Sequence, residues 1–242
     1  MSTILSLLAF AIVALLYAIV GHGGASGYLA LGALMGLPQQ EMRVPALLMN
    51  LVVSAIAFLQ FRRAGHFHWQ LFWPFALTSV PLAWLGAQVV LDPLIYKRIL
   101  AVCLLVAVAR LFGLFGVPGA QTRMRSLPWA LVIGGVLGYL SGVIGIGGGI
   151  LLSPVLLLLG WADAKTTAAV SAPFILVNSA AGLIGALGQG EALHQDTGLW
   201  MVSALAGGSV GAWLGGQQLN EQWLRRALGG MLLFASIKLM LP

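Results

Sequence analysis

The chain is 242 residues long, 60% hydrophobic and only 7% charged, with a formal net charge of +6. A water-soluble surface ordinarily carries about a quarter charged residues, so this composition excludes an ordinary soluble domain and names the bilayer as solvent. The basic excess sits in short gaps between apolar runs, which fits positive-inside topology and a potential favouring anions, and leaves no tract suited to nucleic acid.

Apolar runs at 3–20, 25–37, 44–61, 69–91, 99–117, 127–144, 150–160, 168–188, 198–219 and 224–241 predict an all-α polytopic membrane protein. The first run has no basic residue ahead of it and no cleavage site, so it reads as a helix rather than a signal peptide. Most runs approach the ~20 residues that cross a hydrocarbon core. Two are short, 25–37 and 150–160, and each follows a glycine block. Cys103 stands alone within a run and reads as core packing.

The order of motifs repeats. The block from Val20, VGHGGASGYLALGALMG, pairs with IGIGGGILLSPVLLLLG from Ile144. Pro45–Asn50 pairs with Pro173–Asn178, Ala83–Gln88 with Ala212–Gln217, and Lys97-Arg98 with Arg225-Arg226. This predicts two homologous five-segment repeats, 1–117 and 127–242, joined by a loop at 118–126. Five crossings per half is odd, so the halves insert with opposite orientation, as in many secondary transporters. Ten crossings put eight basic residues on one side and four (Arg43, Lys97, Arg98, Lys238) on the other. Re-entrant short segments would split the same twelve six and six. Positive-inside bias therefore favours ten crossings with both termini outside.

Thirteen helical residues rise only ~20 Å against a ~30 Å core. One end of each short helix must then stop inside the membrane, where non-helical backbone has to be covered by protein or line a cavity. Glycine accepts positive φ and lets a ligand or a neighbouring helix approach the backbone. A buried helix start, with unpaired amides and the positive end of the dipole, suits an anion. This makes Gly21, Gly23 and Gly24 of the first block and Gly145, Gly147, Gly148 and Gly149 of the second candidate binding residues. Close helix packing is the alternative use of glycine in membranes, and is preferred for Gly134, Gly135 and the stretch 182–188.

Asn50 and Asn178 sit in apolar runs and need partners, either another helix or a ligand. His22 interrupts the first block and could donate to an anion or carry a proton. Ser26 offers a hydroxyl, with Ser153 a weaker candidate. His66, His68 and His194 read as surface residues, and Arg110 and Lys238 as snorkelling ends. No acidic residue lies mid-run, which argues against the usual intramembrane carboxylate relay. No catalytic, metal or cofactor site is expected.

The paired blocks GHGG and GIGGG, the short helices after them and the duplicated half resemble the TauE/SafE sulfite exporter family over nearly the whole chain. The resemblance implies a multi-pass carrier of the bacterial inner membrane. Its cargo would be a small sulfur-containing anion such as sulfite, sulfoacetate or another organosulfonate, moved outward. The glycine-rich segments are its implied substrate region; His22 departs from the pattern. The expected partners are the small anion and the bilayer, with a homodimer left open. An anion channel is the rival reading. An intramembrane serine hydrolase through Ser26, in the GASG turn at Gly24–Gly27, is a weaker one because no later run holds a central histidine.

Overall fold

A computed structural model of the chain describes residues 3–19, 21–114, 126–191, 193–215, 229, 230, 233, 236 and 237. Among them nine helices run in order: α1 (Thr3–Ile19), α2 (Ala25–Leu34), α3 (Gln39–Arg63), α4 (Trp69–Ala87), α5 (Pro93–Leu111), α6 (Leu127–Ile144), α7 (Gly149–Leu158), α8 (Ala164–Gly188) and α9 (Thr197–Gly215). Most of the expected link at 118–126, and most of the run 224–241 with Arg225, Arg226 and Lys238, lie outside the described residues, as does Gln217. The α6 bounds match the apolar run, whereas α3 starts five residues before its run and takes Glu41 and Arg43 into the helix. Gln39–Arg63, Leu127–Ile144 and Lys165–Gly188 are long and apolar enough to cross a membrane.

The helix ends recur between the halves. Gly36, Gly65, Gly160 and Gly190 all turn at positive φ after a helix. In each case the next residue's amide bonds a carbonyl five residues back: Leu37 to Gly32, His66 to Phe61, Trp161 to Leu156 and Glu191 to Ala186. Glycine is used there because a side chain at positive φ is strained. The two short helices are both ten residues long, and the helices after them are both 25.

Small residues set the tightest packing. A methyl on Gly134, Gly138 or Gly142 of α6 would strike the α4 backbone at Phe75, Ser79 or Ala83. Gly207 and Gly211 of α9 meet Ala11 and Leu15 of α1 in the same way. Spacing by four puts these glycines on one helix face, where backbones can approach closely without side chains between them. Both registers ascend together, so α4 runs parallel to α6, and α1 to α9. Leu47 faces Gly182 and Asn50 bonds Ser179, which makes α3 and α8 antiparallel. Ser79 meets Asn178 and Ala87 meets Gly185, so α4 and α8 are parallel. Glu41 lies beside His194 and Val53 against Gly208, so α3 and α9 are parallel. Hence α1, α3 and α9 point one way and α4, α6 and α8 the other. The short helices double back: α2 is antiparallel to α3 (Ala25 at Asn50, Gly32 at Met42) and α7 to α8 (Gly149 at Ile175, Ser153 at Ser171).

Exposed faces are apolar. On α1 they are Ile4, Leu5, Leu8 and Ile12; on α6 Val132 and Val136; on α9 Val202, Leu205 and Trp213. The buried polar residues gather instead on α2, α3, α7 and α8, among them Asn50, Ser54, Ser153, Ser171, Asn178 and Ser179. Such an inside-out distribution is what a lipid solvent selects.

Candidate functional site

The two glycine blocks are the turns that lead into α2 and α7. Gly24 and Gly148 are the N-cap residues, at φ +102° and +75°. Neither cap supplies a side chain to its helix, so the first amides must look elsewhere. Gly21, Gly145 and Gly147 also sit at positive φ, Gly145 ending α6 with its amide 2.7 Å from the Ser141 carbonyl. Every residue from Gly21 to Ala30 and from Ser141 to Pro154 is buried.

The turns converge on the same two side chains. A methyl on Gly23 would strike Asn50 Oδ1 and Ile175; one on Gly147 would strike Asn50 Nδ2, Ser179 Oγ and Ile175. Asn50 stands roughly 17 and 20 Å from the ends of α3, hence at mid-depth in the bundle. Its Oδ1 accepts from the Ala25 N–H at 3.1 Å, the first amide of α2, and its Nδ2 donates to Ser179 Oγ at 2.7 Å. The gap between the turns is therefore covered by protein rather than left as a cavity: the Asn50 carboxamide fills it, with Ile175 and Ser179 around it. Glycine makes this possible because its backbone can be approached to contact distance. In the second half the first amides of α7, those of Gly149 and Ile150, meet no acceptor among the described residues.

Asn178 behaves differently from Asn50. Its Nδ2 donates to Ser79 Oγ at 3.1 Å and to the Phe174 carbonyl at 2.8 Å, while Oδ1 is buried without a partner among the described residues. Ser26 pairs with the Tyr17 hydroxyl at 2.7 Å, and that hydroxyl also bonds the backbone of Gly27. His22 turns away from Ser26: its Nε2 lies 3.0 Å from Ser153 Oγ, which is 2.9 Å from Ser171 Oγ. Of the expected residues, Gly23, Gly24, Asn50 and Gly147–Gly149 are thus brought together, Ser26 is the second residue of α2, and His22 links the two halves from the side. A methyl on Gly134 would meet Phe75 and Thr78, one on Gly135 Leu82, and one on Gly185 Ala87 and Trp84, which is the packing role. His194 is part-buried and stacks on Trp200, ring centroids 4.6 Å apart, rather than lying on the surface.

Sequence reasoning missed Arg43 and Glu191. Arg43 is 2% exposed and donates to Glu191 Oε1 at 2.8 Å, to the Ala87 carbonyl at 2.9 Å and to the Gly142 carbonyl. Its stem packs on Gly145. Glu191 lies in the loop after α8; burial raises its carboxyl above the ordinary carboxylate range, and the Arg43 charge and hydrogen bond pull it back. A cavity of about 620 Å³ opens over this pair, walled also by Gln39, Glu41 and His194. Arg43 escaped notice because it precedes its apolar run by one residue, where an interfacial charge is ordinary. An arginine two residues before an intrahelical proline, at the mouth of a long helix, was the available signal.

A family model described as Sulfite exporter TauE/SafE matches residues 6–239. A protein of Sinorhizobium fredii (strain NBRC 101917 / NGR234), named Probable membrane transporter protein y4hK, is 37% identical over 245 residues, covering 96% of each chain. No solved structure matches.

Proposed function

The chain belongs to the sulfite exporter TauE/SafE family, and from that premise we propose that it carries a small sulfur-containing oxyanion outward across the bacterial inner membrane. Membership of this family, with a relative named as a probable membrane transporter, supports a multi-pass helical membrane transporter. The cargo is sulfite, sulfoacetate or another organosulfonate. It binds between two inverted repeats, 1–117 and 127–242, with both termini outside. Gly21, His22, Gly23, Gly24, Ser26 and Asn50 line one half of the site and Gly145, Gly147, Gly148, Gly149 and Asn178 the other. The opposed directions of α1 and α6, of α3 and α8 and of α4 and α9 support the inversion.

The observation that carries the reading is the pair of helix starts at mid-depth. At α2 the seat suited to an anion holds a neutral acceptor, Asn50 Oδ1, on the Ala25 amide. At α7 the amides of Gly149 and Ile150 point from the positive end of the helix with no acceptor among the described residues. An oxyanion replaces the Asn50 carboxamide when the halves part, satisfying both starts at once. Outward movement of an anion is driven by an inside-negative potential at ~2.3 kcal/mol per charge per 100 mV, so export needs no further coupling ion.

The test is thermal denaturation in detergent against sulfite, sulfate, thiosulfate, sulfoacetate, taurine, phosphate and acetate. Selective stabilisation by one sulfur oxyanion, absent in Gly148→Leu, is the expected result. Equal shifts with phosphate and acetate, or none with any anion, would overturn the assignment.

A further inference from the structure

The Arg43–Glu191 pair occupies a place the glycine turns do not explain. Arg43 lines the open cavity at one end of the bundle, yet its stem rests on Gly145, the first glycine of the second turn. Along α3 the residues Arg43, Leu47 and Asn50 follow at intervals of four and three, so they share one face. That face looks onto α8 and the segment after it: Arg43 onto Glu191, Leu47 onto Gly182, Asn50 onto Ser179. A line of three side chains, roughly 10 Å long, therefore joins the cavity floor to the point where the turns meet.

The pair is incompletely matched. Carboxylate and guanidinium usually join through two parallel bonds. Here a single oxygen of Glu191 engages Arg43, and Arg43 Nε and Glu191 Oε2 are both buried without partners among the described residues. Two carbonyls, of Ala87 and Gly142, hold the guanidinium in place whether or not the carboxylate stays. Apart from that single bond Glu191 is held by its backbone, at the turn that follows Gly190, so its side chain can leave without disturbing a helix.

The same place in the other half carries no such pair. By the register of Pro45 and Pro173, Ser171 stands where Arg43 does and Arg63 where Glu191 does, and Ser171 bonds Ser153 instead. The lock thus belongs to one end of the molecule.

We propose that Arg43 is an anion-binding station in the cavity, that the Glu191 carboxylate occupies it as a tethered substitute for the cargo, and that displacement of Glu191 by the departing oxyanion opens the path from the glycine turns along Leu47 to the cavity. This rests on the reading that the cargo is a small anion. Glu41 and His194 lie 3.9 Å apart on the rim, with Asp196 3.9 Å from the same imidazole. The charge that discriminates is the buried guanidinium.

Gly182 provides a reporter, since a methyl there meets Leu47 only at 3.6 Å and is accommodated. Gly182→Cys in a Cys103→Ala background is labelled in detergent with an anionic methanethiosulfonate sulfonate and, separately, with its cationic trimethylammonium analogue. Glu191→Gln is expected to speed the anionic reagent about tenfold, since the unpaired guanidinium then attracts it, and to leave the cationic reagent behind. Glu191→Asp keeps labelling slow, and Arg43→Gln added to Glu191→Gln removes the preference for the anionic reagent. Unchanged labelling in Glu191→Gln overturns the proposal, and so does an equal rise with both reagents, which would mean loosening without an anion station. Leu47→Cys reports on the same gap if Gly182→Cys does not fold. Both reagents are independent of the natural cargo, so a failed gate is distinguished from a failed transport assignment, which would show in the absence of any anion-induced stabilisation of the unmodified protein.

Discussion

The first glycine turn is capped by a side chain and the second is not. At α2 the leading amide is capped by Asn50, reaching in from α3. At α7 the corresponding asparagine, Asn178, points elsewhere, and the leading amides are left without acceptors among the described residues. The backbone turns are alike, both helices starting from a glycine at positive φ. The difference comes from partners outside the repeat. Asn50 donates to Ser179, where the first half has Leu51; Asn178 donates to Ser79, where the second half has Gly208. Two serines placed out of register with the duplication turn one amide toward its helix start and the other away. A duplicated frame thus supplies two helix starts of the same kind, and single polar substitutions decide which one is occupied.

The strongest way to break this comparison is to fill the space the turns share. Gly147→Ala adds a methyl at φ +72° that collides with Asn50 Nδ2 and Ser179 Oγ. Left-handed strain of about 1–2 kcal/mol and overpacking of about 1–3 kcal/mol act together, so melting in detergent should fall steeply and flux into proteoliposomes should vanish. Gly23→Ala carries no positive-φ penalty but drives its methyl into Asn50 Oδ1. It should lose less stability than Gly147→Ala. Equal losses would mean that strain does not separate the two turns.

The asparagines come next. Asn50→Ala removes two buried bonds and leaves the Ala25 amide without its acceptor, a cost of about 2–3 kcal/mol. Asn178→Ala removes bonds to Ser79 and to the Phe174 carbonyl but also an oxygen that had no partner, and it strands no backbone amide, so it should cost less, about 1 kcal/mol. Paired melting curves measure the difference directly. Asn50→Asp sharpens it further: a carboxylate still accepts from Ala25, and suits the helix dipole, but leaves fixed negative charge where the cargo binds. Retained melting temperature with abolished anion stabilisation is expected; retained anion stabilisation would place the cargo elsewhere.

Much of this frame was legible in the sequence. The apolar runs located the nine described helices, because lipid-facing and buried surfaces are both apolar and charge collects in the loops and helix ends. The shortness of 25–37 and 150–160 announced the broken helices, since rise per residue is fixed. What could not be read was which partner each polar residue takes. Asn50 and Ser179 are 129 positions apart, and Arg43 and Glu191 are 148. Neither periodicity nor spacing carries information at that range. The same limit explains why covering protein and a lining cavity could not be told apart between the turns: the glycines marked a close approach, but the group that approaches is a side chain from a helix named only by the fold.

The smallest effect concerns how the two long helices begin. Each follows a short helix, but α8 opens on Asp163, whose carboxylate accepts the Thr166 N–H at 2.7 Å, whereas α3 opens on Pro38 with no side-chain cap. That hydrogen bond holds the Asp163 carboxyl below its ordinary range. The charged form is favoured by folding, so its stabilising effect is full above the unfolded carboxylate value and is lost as pH falls through the lowered, folded one. Asp163→Ala should therefore cost about 1 kcal/mol near neutral pH, at the low end for caps because the site is exposed to water. The cost should shrink as the medium becomes strongly acidic. Asp163→Asn keeps the oxygen and should recover most of the loss while removing its pH dependence. Because α3 lacks the device, Pro38→Asp offers the reverse experiment. If it raises the melting temperature, the two helix starts differ only in their capping residue. If it does not, the Gln39 end of α3 is held by its tertiary contacts, and the asymmetry between the halves reaches beyond the glycine turns.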